Sequence, residues 1–349
     1  MPKTVLAILA GGLSRRYQKQ NTEWQDKILF QFNNEPFLVN LIKRSNLLYD
    51  ETVLSVNSTN REEAYKTILQ KHSLANQIDF IIDDQNSSFE GVMLGIGSIL
   101  RSLRGKVVQV LPSDRPFLML SILKSMKICD EGVSFFQSDT GLIEPLLTLY
   151  GSNIYFPREL ETLSLSRADV LMRVSPLLKI YNADTIISMN DLSPRTFSNV
   201  NVQDYIKNDN NFNISEEKNL TMPPPITISR SSPIEKQGSF KEIDCQDYVE
   251  KLNEQNHNYS AFLWSMFFRN QSLINEGNYN CLAKKSLRAE HQFWTDKKIP
   301  FFALHALQDL LFFFPEEKII SDIQKIDALK KQMKIQSKTV TKLNKLKKE

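Results

Sequence analysis

The chain has 349 residues, 41% of them hydrophobic, 24% charged and 10% aromatic, proportions that exclude wholesale disorder, collagen-like sequence and a disulfide scaffold. At roughly 150 residues per domain this length predicts about two domains, each able to bury a core. Lys and Arg number 43 against 40 Asp and Glu, a net +3 that argues against nucleic acid as a partner.

The first 206 residues alternate short β-branched runs with helical patterns, which predicts an α/β domain, a doubly wound and mostly parallel Rossmann-like sheet covered by helices. The strands are expected at Thr4–Ala10, Thr52–Asn57, Ile78–Asp83, Lys106–Pro112 and Gly132–Ser138, with helices at Phe37–Leu48, Arg61–Lys71, Val92–Leu103 and Met119–Ile128. Val5–Ala10 is too short for a signal-peptide apolar region, so a cytoplasmic setting is expected. Cys129, Cys245 and Cys281 lie far apart with no paired spacing, which fits a reducing compartment and gives no metal-ligand pattern.

A stretch rich in Asn, Asp, Pro and Ser, 207–245, reads as a linker. A smaller all-α domain, 246–349, is expected after it, with helical patterns at Tyr259–Arg269, Ala283–Trp294 and Phe301–Phe314, then from Glu316 to the end. Trp264 and Trp294 read as bundle core, His305 as a packed or half-buried helix residue, and Ile299–Phe314 as too short and too interrupted to span a bilayer. The last helix is lysine-rich: 325–349 holds nine lysines against Asp327 and Glu349, which is +7 and leaves −4 for the rest. A solvated face is the plain account of that charge, with contact to RNA, an acidic partner or anionic lipid as the alternative; a protein partner through the helical domain is a separate expectation.

Ligands of such sheets bind beyond the carboxyl ends of the strands. There, after the first run, stands Leu9-Ala10-Gly11-Gly12-Leu13-Ser14-Arg15-Arg16. Two glycines let backbone N–H groups wrap a phosphate chain, with Arg16 in reach to neutralise it, although a plain βα turn with surface arginines would read the same. Asp26-Lys27 follows, then an apolar strand-like Ile28–Phe30 and a turn at Asn33–Phe37. Pro112-Ser113-Asp114-Arg115-Pro116-Phe117 ends the fourth run, and Asn199-Val200-Asn201 closes the domain.

Taken together these segments resemble the molybdenum cofactor guanylyltransferases, a branch of the nucleotidyltransferase superfamily, over about residues 3–206. The family opens with LAGGxSxRMGxDK, matched here by Leu9 to Ser14, Arg16, Asp26 and Lys27. Its Pro-x-Asp-x-Pro-Phe turn corresponds to Asp114, its late Asn-x-Asn to Asn199 and Asn201 followed by Asp204, and its Gly-Pro-Leu-Ala-Gly-Ile segment to Asp84 and Gly91–Ile96. The chain departs from the pattern at Tyr17-Gln18 for Met-Gly, in a longer spacer before Asp26, and at Val92 and Leu94 for Pro and Ala.

The resemblance implies Mg²⁺-dependent transfer of GMP from GTP to the phosphate of molybdopterin with release of pyrophosphate. Arg16, Lys27 and Asp114 would be catalytic, with Asp114 the Mg²⁺ ligand. Leu9, Gly11, Gly12, Asn57, Asp84, Gly91, Gly95, Asn199 and Asn201 would bind the nucleotide and acceptor. Transfer to a sugar 1-phosphate or another phosphorylated acceptor is the nearest alternative, and a non-catalytic binding or scaffold role for the same fold is the third.

Overall fold

The structure, a computed structural model, describes residues 3–12, 14, 25–32, 34–87, 89–126, 128, 132–137, 143–154, 182–188, 226–227, 240–270, 273–315 and 320–333. Contacts divide the chain into one unit of Met1–Phe136 with Glu144–Ser229 and another of Gln137–Ile143 with Arg230–Glu349.

In the first unit the strands are β1 (Thr4–Leu9), β2 (Gln31–Phe32), β3 (Glu35–Pro36), β4 (Glu51–Val56), β5 (Asp79–Ile82), β6 (Val107–Pro112), β7 (Gly132–Gln137), β8 (Ile143–Tyr150), β9 (Asn182–Ser188) and β10 (Ile226–Thr227). The helices are α1 (Phe37–Ser45), α2 (Thr59–Lys71), α3 (Gly91–Ser102) and α4 (Leu120–Lys124). Eight strands form one sheet in the order β10-β9-β7-β8-β6-β1-β4-β5. β1 pairs in parallel with both β4 and β6, and β4 with β5, whereas β8 runs antiparallel to β6. The α/β class predicted from the alternation is thus borne out.

Burial explains the pattern. All six residues of β6 are buried, as a strand covered on both faces requires, and β1 is buried from Val5 to Ile8. Helix α3 packs a face of Met93, Gly95, Ile96, Gly97 and Ile99 inward. A Cβ on Gly95 would stand 3.0 Å from Leu9 Cδ2, so a glycine there lets α3 approach β1. Chain order runs from β1 outward through β4 to β5 on one side, then returns to β6 on the other. The direction of winding therefore changes between β1 and β6, which opens a crevice beyond their carboxyl ends.

Several elements differ from expectation. The strand-like Ile28–Phe30 is a 3₁₀ turn at Lys27–Leu29, and the strand begins afterwards, in the hairpin β2–β3. That hairpin turns at Asn34, whose φ of 64° suits asparagine's tolerance of left-handed backbone. Phe30 stacks on Phe37 with ring centroids 5.0 Å apart, and Phe32 meets Phe117 edge-on, which fixes the hairpin against the turn after β6.

The second unit contains α5 (Glu242–Glu254), α6 (Asn258–Asn270), α7 (Glu276–Asp296), α8 (Pro300–Phe313) and α9 (Ile320–Gln332). Helix α5 begins inside the predicted linker, whose described residues are 226–227 and 240–245. Asn275 caps α7, its side chain accepting from the Asn278 N–H at 2.9 Å, and Pro300 opens α8. α7 packs on both α6 and α8. Trp294 is fully buried against Phe302, and Trp264 lies in a cluster with Tyr248 and Phe268, so both act as core. Leu304 and Leu307 pack with Ile326 and Met333, joining α8 to α9. No described helix is long and apolar enough to cross a membrane.

Candidate active site

Backbone ladders continue past the strand ends and tie the loops of the crevice together. The N–H of Ala10 donates to the Ser55 carbonyl at 2.8 Å, that of Asp83 to Val56 at 2.9 Å, and that of Ser113 to Leu9 at 3.2 Å. Ala10, Asp83 and Ser113, the first residues beyond β1, β5 and β6, are therefore each held to a neighbouring strand end, a preorganised frame for the side chains that follow.

Lys27 and Asp114 meet in this frame. Lys27 Nζ lies 2.6 Å from Asp114 Oδ2, across 87 residues of sequence, with both side chains mostly buried. Asp26 fixes Lys27. Its carboxylate, 8% exposed, accepts from the Tyr65 hydroxyl at 2.6 Å, the Ser14 hydroxyl at 3.2 Å and the Ile28 N–H at 3.4 Å, while the Lys27 N–H donates to Ser14 Oγ at 3.2 Å. Arg61, four residues before Tyr65 on α2, reaches Asp26 Oδ2 at 3.4 Å and donates to the Gly12 carbonyl at 3.0 Å. In this arrangement the Asp of Asp26-Lys27 holds the turn, and the Lys is free to face the cleft.

A second group lies at the ends of β1, β4 and β5. Gly11 backs onto the Asn57 backbone: a Cβ there would stand 3.1 Å from Asn57 N and 3.5 Å from Asp83 Oδ2. Gly95 faces Leu9, Ser55 and the other oxygen of the same Asp83. Asp83 is 7% exposed and accepts from Ser55 Oγ at 3.4 Å. Burial pushes its pKa up to about 6, against the pull of Ser55 and Arg61. Gly12 has open space where a Cβ would stand.

Of the predicted site residues, Lys27 and Asp114 form one cluster and Leu9, Gly11, Asn57 and Gly95 another, with Gly12 beside Arg61. Asp84 faces elsewhere: it pairs with Arg101 at 3.4 Å and accepts from the Asn86 N–H at 3.0 Å. Gly91 starts α3 at φ 58°. Arg16, Asn199 and Asn201 lie outside the described residues. Sequence alone did not reveal Asp83, Arg61, Tyr65, Arg115 or Glu144. Asp83 had one signal, its place directly after β5.

A divalent metal, implied by the resemblance, fits Asp114 on donor chemistry. Carboxylate oxygen is a hard ligand, and Mg²⁺ takes one or two carboxylates while keeping positions for phosphate and water. Among the described residues no group of three or more His, Cys, Asp or Glu could hold a metal. A separate cavity of about 500 Å³ lies in the helical unit, lined in part by Glu250, Glu254, Lys285 and Asp296; it contains none of the motif residues.

These strand-end features belong to an α/β domain, and comparison with known proteins adds a likeness: residues 6–176, just under half of the chain, match the family model of the MobA-like NTP transferase domain. The resemblance drawn from the motifs is thereby borne out. More particularly, the chain is 30% identical over 127 residues to a molybdenum cofactor guanylyltransferase of Pseudomonas fluorescens (strain Pf0-1). That match covers 36% of this chain and 56% of the relative, so the chain spans just over half of the relative's length. Among solved structures, an Aquifex aeolicus protein aligns at 18% identity and TM-score 0.36 over 56% of this chain and 92% of its own. CTP:phosphocholine cytidylyltransferase from Streptococcus pneumoniae aligns at 12% identity and TM-score 0.37 over 58% and 96%.

Proposed function

We propose that this chain is a nucleotidyltransferase that moves GMP from GTP to the phosphate of molybdopterin and releases pyrophosphate. One observation carries the proposal: Lys27 and Asp114, named by separate motifs, stand 2.6 Å apart at the carboxyl ends of β1 and β6, where the winding reverses. In the reaction an oxygen of the acceptor phosphate bonds to the α-phosphorus, the bridging oxygen to the β-phosphorus leaves, and pyrophosphate carries the charge away. The work required is positioning and neutralisation of charge.

Lys27 would leave Asp114 for the triphosphate, as a point charge suited to phosphate oxygens. Asp114 would hold Mg²⁺, which supplies neutralisation of charge at the α-phosphate and the leaving pyrophosphate. Gly12, with open space before it, lets phosphate approach the backbone, and Arg16 would add a second cation. Asp83 offers a buried carboxylate beside Gly11 and Gly95, an acceptor suited to the ring N–H and amino group of guanine. Asn57, Gly91, Asn199 and Asn201 would complete the nucleotide and acceptor contacts, without Asp84, which is turned to Arg101. The longer segment before Asp26 and the replacements at Val92 and Leu94 favour a second reading, the same chemistry on a different phosphorylated acceptor.

The test pairs two measurements on the full chain. Melting is followed with each nucleoside triphosphate and Mg²⁺, where a ligand at 100 times its Kd stabilises by about 2.7 kcal/mol. Pyrophosphate release is then assayed with GTP and molybdopterin. GTP-selective stabilisation and turnover, both lost in Asp114→Asn, support the proposal. Turnover unaffected by that substitution would refute the role of Asp114, and an absence of stabilisation by any triphosphate would leave the fold as a non-catalytic module.

A further inference from the structure

The turn that presents Asp114 contains an arginine, and that arginine is engaged from the far side. Arg115, with its side chain 9% exposed, donates through Nη2 to Glu144 Oε2 at 2.6 Å. Its Nε stands 4.0 Å from Asp114 Oδ1, beyond hydrogen-bond distance. Glu144 comes from β8, which pairs antiparallel with β6 through Val108↔Tyr150 and Gln109↔Leu149. Continued past the end of β6, that register sets 144 across from 114. One guanidinium therefore lies between two carboxylates, and it is bonded to the one that carries no motif.

The rest of the turn is braced from the opposite side. Arg44 of α1, itself buried, donates to the carbonyls of Leu118 at 2.6 Å and Pro116 at 3.4 Å. Burial, with the nearby Asp114 charge, holds the Glu144 pKa above its ordinary value even though Arg115 pulls it down. A buried arginine deprived of its carboxylate is left an uncompensated charge, and Asp114 Oδ1 stands 4.0 Å from its Nε.

We propose that Glu144 and Arg115 form a positioning pair: Glu144 occupies the guanidinium and so keeps it from closing onto Asp114, leaving Oδ1 open for a divalent cation. This rests on the assignment of Asp114 as a metal ligand. It does not depend on the acceptor, on the base, or on turnover.

The experiment reads metal affinity directly. Binding of Mn²⁺ to the full chain in the presence of GTP, without acceptor, is followed by electron paramagnetic resonance, alongside a melting curve for every variant. Asp114→Asn should abolish the tight Mn²⁺ signal. Glu144→Gln keeps the shape and removes the charge, and it should weaken Mn²⁺ about 10- to 100-fold, the usual cost of losing a group that orients a metal ligand. Adding Arg115→Gln to Glu144→Gln removes the competing cation and should return most of the affinity, even though the double variant melts no higher than the single. A role confined to stability would predict the reverse, with the double variant as weak as or weaker than the single.

Parent-like Mn²⁺ affinity in folded Glu144→Gln overturns the proposal, as does a double variant that recovers nothing. Should the double variant not fold, Glu144→Asp replaces it: the shortened acid should give an intermediate loss, and parent affinity there also overturns the pair. If Mn²⁺ affinity responds as stated while the parent transfers no nucleotide, the pair stands and the proposed reaction fails. If Asp114→Asn leaves Mn²⁺ affinity unchanged, both fall.

Discussion

Replacing Asp83 with Asn should make the protein more stable and less able to bind GTP, and the two effects should separate with pH. The carboxyl sits near pKa 6 when folded against 3.8 as a free side chain, so the folded state disfavours its charge. At about 1.4 kcal/mol per unit, a shift of roughly two units sets an upper bound near 3 kcal/mol; with water at the cleft mouth a gain of about 1–3 kcal/mol is expected. Below pH 3.8 the group is protonated in both states and costs nothing. As pH rises through 6 the folded protein comes to bear the full penalty, which Asn, isosteric and still able to accept from Ser55, does not carry. Urea unfolding of parent and variant followed by circular dichroism at pH 4, 5, 6 and 7.5 should show midpoints that start close and diverge, with the variant higher. GTP affinity measured at pH 7.5 should fall by roughly 1.5–3 kcal/mol, the worth of a hydrogen bond to a charged group. A variant no more stable than the parent at pH 7.5, or equally stabilised at pH 4, would refute the reasoning about burial. Stabilisation with unchanged GTP affinity would leave Asp83 as a strained structural acid with no part in binding the base.

Three further outcomes are expected. Lys27→Ala should weaken triphosphate binding and lower kcat, together worth about 1.5–3 kcal/mol in kcat/KM; overlapping titrations of variant and parent would exclude a phosphate contact. Gly12→Ala should fold with parent-like melting, because its new Cβ meets nothing within 4 Å, so a drop in triphosphate affinity on calorimetric titration would report phosphate approaching the backbone at that point. Limited trypsin digestion of the intact chain should cut first at Lys207, Lys218, Arg230 or Lys236, inside the proposed linker 207–245; first cuts within α5 to α9 would contradict that domain division.

How much the sequence disclosed depended on how local each signal was. β1, β4 and β6 are short runs rich in Val, Leu and Ile with few polar interruptions, and they form where expected because burial on both faces needs no strict alternation. β8 carries no plain strand pattern because Glu144 and Pro145 interrupt it, and its register depends on β6, whose paired residues lie about forty positions earlier. The start of α5 was hidden by the polar Glu242, Asp244 and Gln246, although Cys245 is fully buried there. The family pattern drew attention to Asp84, whereas the carboxylate against Gly11 and Gly95 is Asp83. Successive residues leaving a strand point in opposite directions, so one position decides which acid enters the cleft. Arg61 and Tyr65 look like ordinary residues of a polar helix until α2 is laid over the Asp26 turn. Lys27 and Asp114, by contrast, were legible because each stands in a short motif with chemistry of its own.

The fastening of the Asp26 turn also bears on how the segment before it can vary. Ser14 and Lys27 are joined by one hydrogen bond of 3.2 Å, Ser14 and Asp26 by another, and Gly12 is held by Arg61. Ser14 and Lys27, described residues on either side of 15–24, are thus held to each other by a hydrogen bond of their own. For a flexible segment between two anchored ends, closure entropy grows only with the logarithm of length, and doubling the residues costs about 0.6 kcal/mol. Insertions and deletions between the glycines and Asp26 can therefore accumulate with little penalty to folding and without displacing Lys27. In a lineage of such domains the length of that segment is free to change while the cation after it stays in register with Asp114.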